Sequence, residues 1–128
     1  MPGKVGRYTD VKLEKVSEDM AVKTYVRWLI TEDDGAPIFA MRVFRVEKGG
    51  YIKAHRHPWE HEIFVLQGRG RVRIGNEYHD VEAGYYIFIP PNVEHEYWNT
   101  GDSDLEFICL IPHKPSAVSY THLTLPTN

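Results

Sequence analysis

Short segments rich in β-branched and aromatic residues recur along this chain and alternate with glycine, proline and asparagine. An early one, VKTYVRWLI at residues 22–30, is followed by the turn-forming sequence TEDDGAP at residues 31–37. About seven or eight such segments follow one another at intervals of roughly 8 to 14 residues, and no stretch after residue 20 shows a convincing helical period. This spacing predicts an all-β fold, either a sandwich or a barrel.

One segment is apolar on both of its faces. In IFAMRVFRVEKGG, residues 38–50, apolar side chains occupy most of the odd and most of the even positions up to residue 46. A strand of this kind is covered on both sides by other parts of a protein. We expect this strand to end at Gly49 and Gly50, because adjacent glycines favour a turn.

The length and charge of the chain limit the classes of function. At 128 residues it has room for one domain. Its formal charge of −3 is too small to indicate a surface for nucleic acid, and no apolar run approaches the roughly 20 residues that span a bilayer. The opening sequence MPGKVGRYTD lacks the apolar region of a secretory signal. We therefore expect a cytoplasmic protein whose partners include neither nucleic acid nor a membrane.

Three segments divide the chain. Residues 1–20 form an N-terminal segment, residues 21–115 form the domain, and residues 116–128 form a tail of different composition. The tail, SAVSYTHLTLPTN, contains no charged residue and resembles a translated sequencing-adaptor read-through. We exclude it, and His122 within it, from the predicted fold; if it is natural sequence, we expect it to be a disordered tail.

The sequence HRHPWEHEIF at residues 55–64 concentrates candidate metal ligands. In a strand, His55 and His57 can point to one side with their Cα atoms roughly 6.5 to 7 Å apart, so both imidazoles can reach one ion. Pro58 interrupts the strand, and either His61 or Glu62 then faces inward. Strand parity favours His61, although a turn at Pro58 can reset the phase. Because Cys109 is the only cysteine, any metal must be held by histidine or carboxylate.

A fourth histidine follows a second strand and turn. In GYYIFIPPNVEHEYWN, Gly84 begins the segment and a Pro-Pro-Asn corner precedes His95. Asn92 lies where a left-handed backbone conformation is useful, and asparagine tolerates that conformation better than most residues. His95 is therefore a candidate ligand from a distant part of the sequence.

These two segments resemble the paired motifs of the cupins. The first cupin motif has a glycine, His-x-His, a glutamate and a second glycine; the matching positions are Gly49, His55, His57, Glu62 and Gly68, with the last spacing short by one. The second motif has a glycine, Pro-x-Gly, a histidine and an asparagine; the matching positions are Gly84, Pro90, His95 and Asn99, with Asn92 in place of the inner glycine. The resemblance covers roughly residues 20 to 115. It implies the cupin fold, a double-stranded β-helix that forms a jelly-roll-like barrel.

The longer string HRHPWEHEIFVLQG resembles a cupin subgroup in which the residue before the motif glutamate is a fourth histidine ligand. This resemblance implies the ligands His55, His57, His61 and His95. In the more common cupins the ligand is instead the glutamate, here Glu62. The four-histidine subgroup is associated with manganese, whereas imidazole ligands alone favour iron, zinc, nickel or copper. We expect one divalent transition metal per chain, manganese first and iron second, with zinc, nickel and copper as alternatives.

Three further residues are predicted to line a substrate pocket. Trp59 lies next to the expected ligands, and Phe107 and Cys109 occupy one face of the strand-like sequence LEFICLIP. The alternative for each is ordinary packing, and a free cysteine is usually a small buried hydrophobe.

Several polar and aromatic residues outside the motifs have structural interpretations. We expect His79, His113 and Trp98 to serve packing or surface roles. An alternating stripe of three arginines could attract an anionic ligand, but a solvated strand face is the preferred interpretation. The stripe consists of Arg69, Arg71 and Arg73.

The expected chemistry is centred on the metal, because neither motif contains a catalytic nucleophile. We expect a metal-dependent oxidoreductase of the dioxygenase type that acts on a small, partly hydrophobic organic substrate. The alternative is a non-catalytic, metal-dependent protein that binds or senses a small molecule. The resemblance also implies a homodimer, in which a second copy covers one of the two apolar faces of IFAMRVF.

Overall fold

Nine β-strands and two short 3-10 turns make up the part of the chain that the computed structural model describes, residues 2–113. The strands are β1 (Glu14–Lys15), β2 (Ala21–Ile30), β3 (Phe39–His55), β4 (His61–Gln67), β5 (Arg69–Ile74), β6 (Glu77–Glu82), β7 (Tyr86–Ile89), β8 (His95–Asn99) and β9 (Leu105–Pro112). Within these residues, no helix has the length and apolarity needed to cross a bilayer. The all-β prediction is confirmed, whereas the predicted tail and His122 lie outside the described residues.

All of these strands pair in the antiparallel sense and form one curled sheet. Its hydrogen-bonded order is β6-β5-β8-β3-β9-β4-β7, and β2 adds to the other edge of β3 while β1 adds to β2. The first half of β3 pairs with β9 and its last residues pair with β8. Because β3 passes from one set of neighbours to the other, the sheet curls into a half-barrel around an internal space.

The strand predicted to end at Gly49 and Gly50 continues to His55, so that prediction was wrong. The two glycines form a bend within β3 rather than its end. Gly49 has φ +79°, and a Cβ at Gly50 would lie 2.7 Å from Cγ1 of Val46 and 2.9 Å from the carbonyl oxygen of Val22. The glycines allow β2 to stay close to β3 through the bend, which carries the strand on to the first histidine.

The core lies inside the curl, and the sheet's outer side is also covered near β3. Val46 is fully buried and Val43, at a position of opposite parity, is 2% exposed. On the outer side, the Tyr8 hydroxyl donates to a carboxylate oxygen of Glu106 at 2.9 Å, and an Arg27 Nη1 donates to main-chain carbonyls of the N-terminal segment. The prediction that this strand is covered on both faces is confirmed, and the chain itself supplies covering residues.

Two residues of the cupin-like motifs stabilise corners. Asn99 is 8% exposed, and its side-chain amide donates to the carbonyl oxygens of Val46 and Ser103, both at 2.8 Å. Gly68 has φ +83°, and a Cβ there would lie 2.4 Å from the carbonyl oxygen of Asp104. Asn99 therefore links the middle of β3 to the loop before β9, and Gly68 allows the chain after β4 to lie close to that loop.

Candidate metal centre

Four histidines from different parts of the chain converge at one end of the internal space. Their candidate ligand atoms all lie within 4.8 Å of one another, and the four residues are His55, His57, His61 and His95. His61 is 4% exposed and His95 is fully buried. The structure thus brings together all four histidines that the sequence singled out.

Strand register places these histidines. His55 is the last residue of β3 and lies opposite His95, the first residue of β8, with ring centroids 4.3 Å apart. His57 follows the end of β3 instead of continuing it, so the expected strand alternation does not place it. The connection is held by Asn92, whose backbone N–H donates to the carbonyl of His57 at 2.8 Å and whose φ is +64°. The left-handed turn expected at Asn92 is therefore present.

His61 and Glu62 face opposite sides of β4. His61 is buried on the side of Ile63 and Val65, whereas Glu62 is exposed. The geometry therefore offers His61, and not Glu62, to the cluster; its role as a ligand remains a prediction.

The Nδ1 atom of each imidazole, here called its outer nitrogen, has a hydrogen-bonding partner. The Nε2 atoms, here called the inner nitrogens, are left to face one another. Three Nδ1–H groups donate to main-chain carbonyls, and since a carbonyl only accepts, these rings are protonated at Nδ1. The bonds run from His55 to Lys53 at 2.8 Å, from His57 to Trp59 at 2.8 Å and from His95 to Val93 at 2.9 Å. The fourth ring is held by Cys109, whose Sγ lies 3.0 Å from Nδ1 of His61.

The inner nitrogens fit a metal ion. The Nε2 atoms of His57 and His61 lie 2.8 Å apart, and Nε2 of His95 is buried without a hydrogen-bond partner. Lone pairs at this separation repel unless a proton or a cation lies between them. Backbone acceptors on Nδ1 are also the usual partners that orient metal-binding histidines.

Burial favours the neutral form of His57, His61 and His95. Removal from water lowers the pKa of His61 to about 2, with a further decrease from the nearby Arg42 cation, and lowers the pKa of His95 to about 4. The pKa of His57 is lowered for the same first reason. Neutral imidazole is the form that binds metals, so the rings are ready to bind an ion at ordinary pH.

A cavity of about 390 Å³ opens from the cluster into the half-barrel. The three predicted pocket residues, Trp59, Phe107 and Cys109, all lie in its wall. The Trp59 ring stacks on that of His57, with centroids 4.5 Å apart and planes 9° from parallel. The cavity is otherwise lined mainly by apolar side chains.

Among the cavity residues that sequence reasoning missed is Arg42. It lies on β3 among apolar residues, and its guanidinium faces inward toward Cys109 and the histidines. The available signal was a single arginine at even parity between Ala40 and Phe44. That signal is weak, since a strand arginine is more commonly a surface residue.

The residues expected to have structural roles have them. His113 donates from Nε2 to the carbonyl of Ala36 at 2.7 Å, and His79 is exposed near Glu77. The Trp98 ring stacks with those of Tyr51 and Tyr78.

The arginine stripe is largely neutralised by carboxylates. Arg71 pairs with Asp80 at 2.9 Å, and Arg73 pairs with both Glu94 and Glu96. Arg71 and Asp80 are 49% and 75% exposed, as a solvated face predicts, whereas Arg73 and Glu96 are only 14% and 12% exposed.

Comparison with known proteins agrees with the fold and extends over most of the domain. A family model described as "Cupin domain" matches residues 42–111. The solved structure of the polyketide cyclase RemF from Streptomyces resistomycificus has a TM-score of 0.80 and 32% identity, covering 98% of this chain and 95% of RemF.

Two curated relatives give further similarity. SchB from Streptomyces halstedii is 33% identical over 85 residues, and the oxalate-binding protein of Thermotoga maritima is 28% identical over 115 residues. The second match covers 85% of this chain and 93% of the T. maritima protein. The chain spans only 62% of the length of SchB and 52% of one other curated relative. The similar proteins thus include one named for a cyclisation and one named for binding oxalate.

Proposed function

The chain belongs to the cupin family, and from this premise we propose that it is a metal-dependent enzyme acting on a small organic molecule. The observation that carries the proposal is the set of four imidazole nitrogens within 4.8 Å of one another at the wall of a cavity. The proposed ligands are His55, His57, His61 and His95. A single ion would relieve the repulsion between their inner nitrogens.

The metal is proposed to be manganese first and iron second. The four-histidine resemblance favours manganese, while imidazole nitrogen also suits zinc, nickel and copper. When bound, such an ion supplies Lewis-acid chemistry and, for manganese or iron, redox chemistry.

The chain's own residues would prepare the site in three ways. The carbonyl groups bonded to Nδ1 would fix the orientation of the rings. The apolar wall, including Phe107, would exclude water from the bound substrate. Trp59, stacked on His57, would limit the movement of that ring and form one side of the cavity.

We propose oxygenase-type oxidation as the reaction, because the cavity is lined mainly by apolar side chains and its one thiol, that of Cys109, is buried. Burial raises the pKa of that thiol, which keeps it in the unreactive form. A second candidate is a cyclisation without oxygen, which the similarity to RemF supports. Binding without turnover is the third candidate, and the name of the T. maritima relative supports it.

Two measurements test these proposals. Metal analysis of protein purified without a histidine tag should find about one ion per chain in the wild type and little in His57→Ala; equal content would contradict the site. Oxygen uptake with a panel of catechols, 1,3-diketones and enols should then reveal oxidation. Product formed in the absence of oxygen would instead favour cyclisation, and tight binding with no product would favour a binding protein.

Homodimer formation and a cytoplasmic location stay predictions. The sedimentation mass of the purified protein tests the first, and a monomeric mass would contradict it. Fractionation of native cells tests the second.

A further inference from the structure

We propose that the cavity binds a small organic oxyanion, held at Arg42, whose apolar body lies against the aromatic and aliphatic wall. The inference rests on the proposed function and deepens it, because it names the class of molecule that the same cavity takes. The evidence for it is the position of the Arg42 guanidinium and the groups around it.

Arg42 is held inside the cavity by side-chain contacts that leave its edges available. Its guanidinium carbon lies 4.7 Å from the centre of the Phe44 ring and 5.3 Å from that of the Trp28 ring. Both distances are typical of cation–π contacts, which engage the faces of the guanidinium plane. The N–H donors at its edge are arranged as a fork that suits carboxylate and similar oxyanions.

No carboxylate compensates this cation within residues 2–113. Its only side-chain hydrogen bond there is from Nη2 to Cys109 Sγ at 3.6 Å, while Nε is buried without a partner. Within the same residues the Nη1 group makes no hydrogen bond and, unlike Nε, is not buried. Glu14 is the one cavity-lining carboxylate in this range, and it is exposed beside Lys15 and forms no ion pair with Arg42.

Arg42 is half-buried, so its cation has lost part of its water without gaining an anion, which is unfavourable. An oxyanion from outside the chain would compensate it. Arg27, on the outer side, differs because its Nη1 donates to the carbonyl oxygens of Thr9 and Val11, although its Nε is also buried without a partner within residues 2–113.

The size and lining of the cavity indicate the rest of the molecule. A volume of about 390 Å³ lies at the lower end of the range of roughly 300 to 1,000 Å³ found for small-molecule sites. Oxalate would leave most of the apolar wall uncovered. A body of one or two rings would cover residues such as Phe44, Ile52 and Ile111, which line the same space.

The oxyanion would also lie beside the histidine cluster. The Cys109 sulfur is 3.6 Å from Arg42 Nη2 and 3.0 Å from His61 Nδ1, so one side chain separates the cation from the cluster. Arg42 lines the same cavity as His55, His57 and His61, so a ligand anchored at Arg42 would share the space that these histidines border. Carboxylates and enolates share the required chemistry.

Calorimetric titration of the metal-loaded wild-type protein tests the preference for an anion. The probes are 2-naphthoate with its neutral analogue 2-naphthamide, for a carboxylate, and dimedone with its neutral O-methyl ether, for an enolate. We expect at least one anion to bind about tenfold or more tightly than its neutral analogue. The anion that does so identifies the source of the oxyanion. Equal affinities within both pairs would overturn the inference without the use of any variant.

Variants then assign the preference to Arg42. We expect Arg42→Met to reduce the affinity for the preferred anion about tenfold while binding the neutral analogue nearly unchanged, and Arg42→Lys to restore part of the loss. The matched control is Arg45→Met, an outward-facing position on the same strand, which should keep the wild-type preference. An undiminished preference in Arg42→Met would mean that the metal alone binds the anion, and would overturn the inference.

Metal content measured on the same samples separates this inference from the proposed function. Arg42→Met should carry as much metal as the wild type, since Arg42 is not a proposed ligand. Absence of metal from the wild type would contradict the proposed function. A folded, metal-loaded Arg42→Met protein with unchanged anion affinity would contradict only the anion site.

Discussion

Arg42 and Arg45 lie three residues apart on β3, face opposite sides of the sheet, and have opposite electrostatic surroundings. On the outer side, Arg45 Nε lies 3.1 Å from a carboxylate oxygen of Glu106 and 3.6 Å from one of Asp104. On the inner side, Arg42 forms no ion pair with any carboxylate of residues 2–113. Of these two arginines of β3, only the outer one, Arg45, is paired with carboxylates.

The contrast extends beyond these two residues. On the outer side, Arg73 pairs with Glu94 at 3.0 Å and with Glu96 at 2.5 Å. The inner side has four imidazoles whose inner nitrogens face one another, beside an arginine without a carboxylate partner in residues 2–113. We infer that charged side chains on the outer side pair with one another and stabilise the fold. The histidines and Arg42 on the inner side are instead arranged to bind a metal ion and an anion from outside the chain. The predictions below test this division between the two sides.

The largest expected effect is on metal content when an inner histidine is removed. His95→Ala should lose nearly all bound metal, because His95 is fully buried and its Nε2 has no partner in the described chain. The matched control is His79→Ala, an exposed histidine of β6 outside the cluster, which should keep wild-type metal content. Elemental analysis of tag-free protein, with circular dichroism to confirm folding, makes the measurement. Equal metal content in the two folded variants would contradict the view that the inner histidines bind the metal.

A second prediction compares two neighbours on opposite sides of β4. His61→Ala should weaken metal binding by more than the roughly 10- to 100-fold that loss of an orienting group causes, while Glu62→Ala should leave it nearly unchanged. Competition with a chelator measures both affinities. A larger loss in Glu62→Ala would show that the more common cupin ligand pattern applies here.

The sequence was sufficient to predict the histidine cluster but not its charge environment. Motif spacing linked His55 and His95, and strand parity favoured His61 over Glu62. The four side chains do lie together in the structure, because strand alternation and turn residues are local properties of the chain, while their role as metal ligands stays a prediction. The environment of Arg42 depends on residues such as Trp28 and Cys109, which lie far away in sequence, and no local pattern reports them.

The path of β3 through its two glycines could not be predicted from the local sequence either. A Gly-Gly pair favours a turn in isolation, yet β3 continues through Gly49 and Gly50. Two glycines permit a bend as readily as a turn, and the neighbouring strands decide between them. Contact with β2 on one edge, and with β9 and then β8 on the other, keeps this segment extended. For the same reason, parity alone could not place His57, which lies beyond the end of the strand.

A third prediction concerns stability on the outer side. Glu106 is 4% exposed and accepts hydrogen bonds from Tyr8 and Arg45. Glu106→Gln should lower the free energy of unfolding by about 1 to 3 kcal/mol, because it removes a charge from a largely buried pair. Urea denaturation measures this change, and metal content should stay at the wild-type value.

The inner counterpart should behave differently. Arg42→Met should lower the free energy of unfolding by less than Glu106→Gln, because the cation it removes has no carboxylate to leave unpaired. The reverse order would contradict the view that outer charges serve the fold and that Arg42 serves a ligand.

The smallest effect is expected for an exposed ion pair on the outer side. The Arg71 and Asp80 side chains are 49% and 75% exposed, and although their atoms lie 2.9 Å apart, water solvates both charges before and after the pair is broken. Arg71→Gln should therefore leave the thermal unfolding midpoint and the metal content unchanged in buffer of physiological ionic strength. A decrease as large as that of Glu106→Gln would mean that pairing stabilises this face regardless of burial. The difference between Glu106 and Arg71 would then need a cause other than exclusion of water.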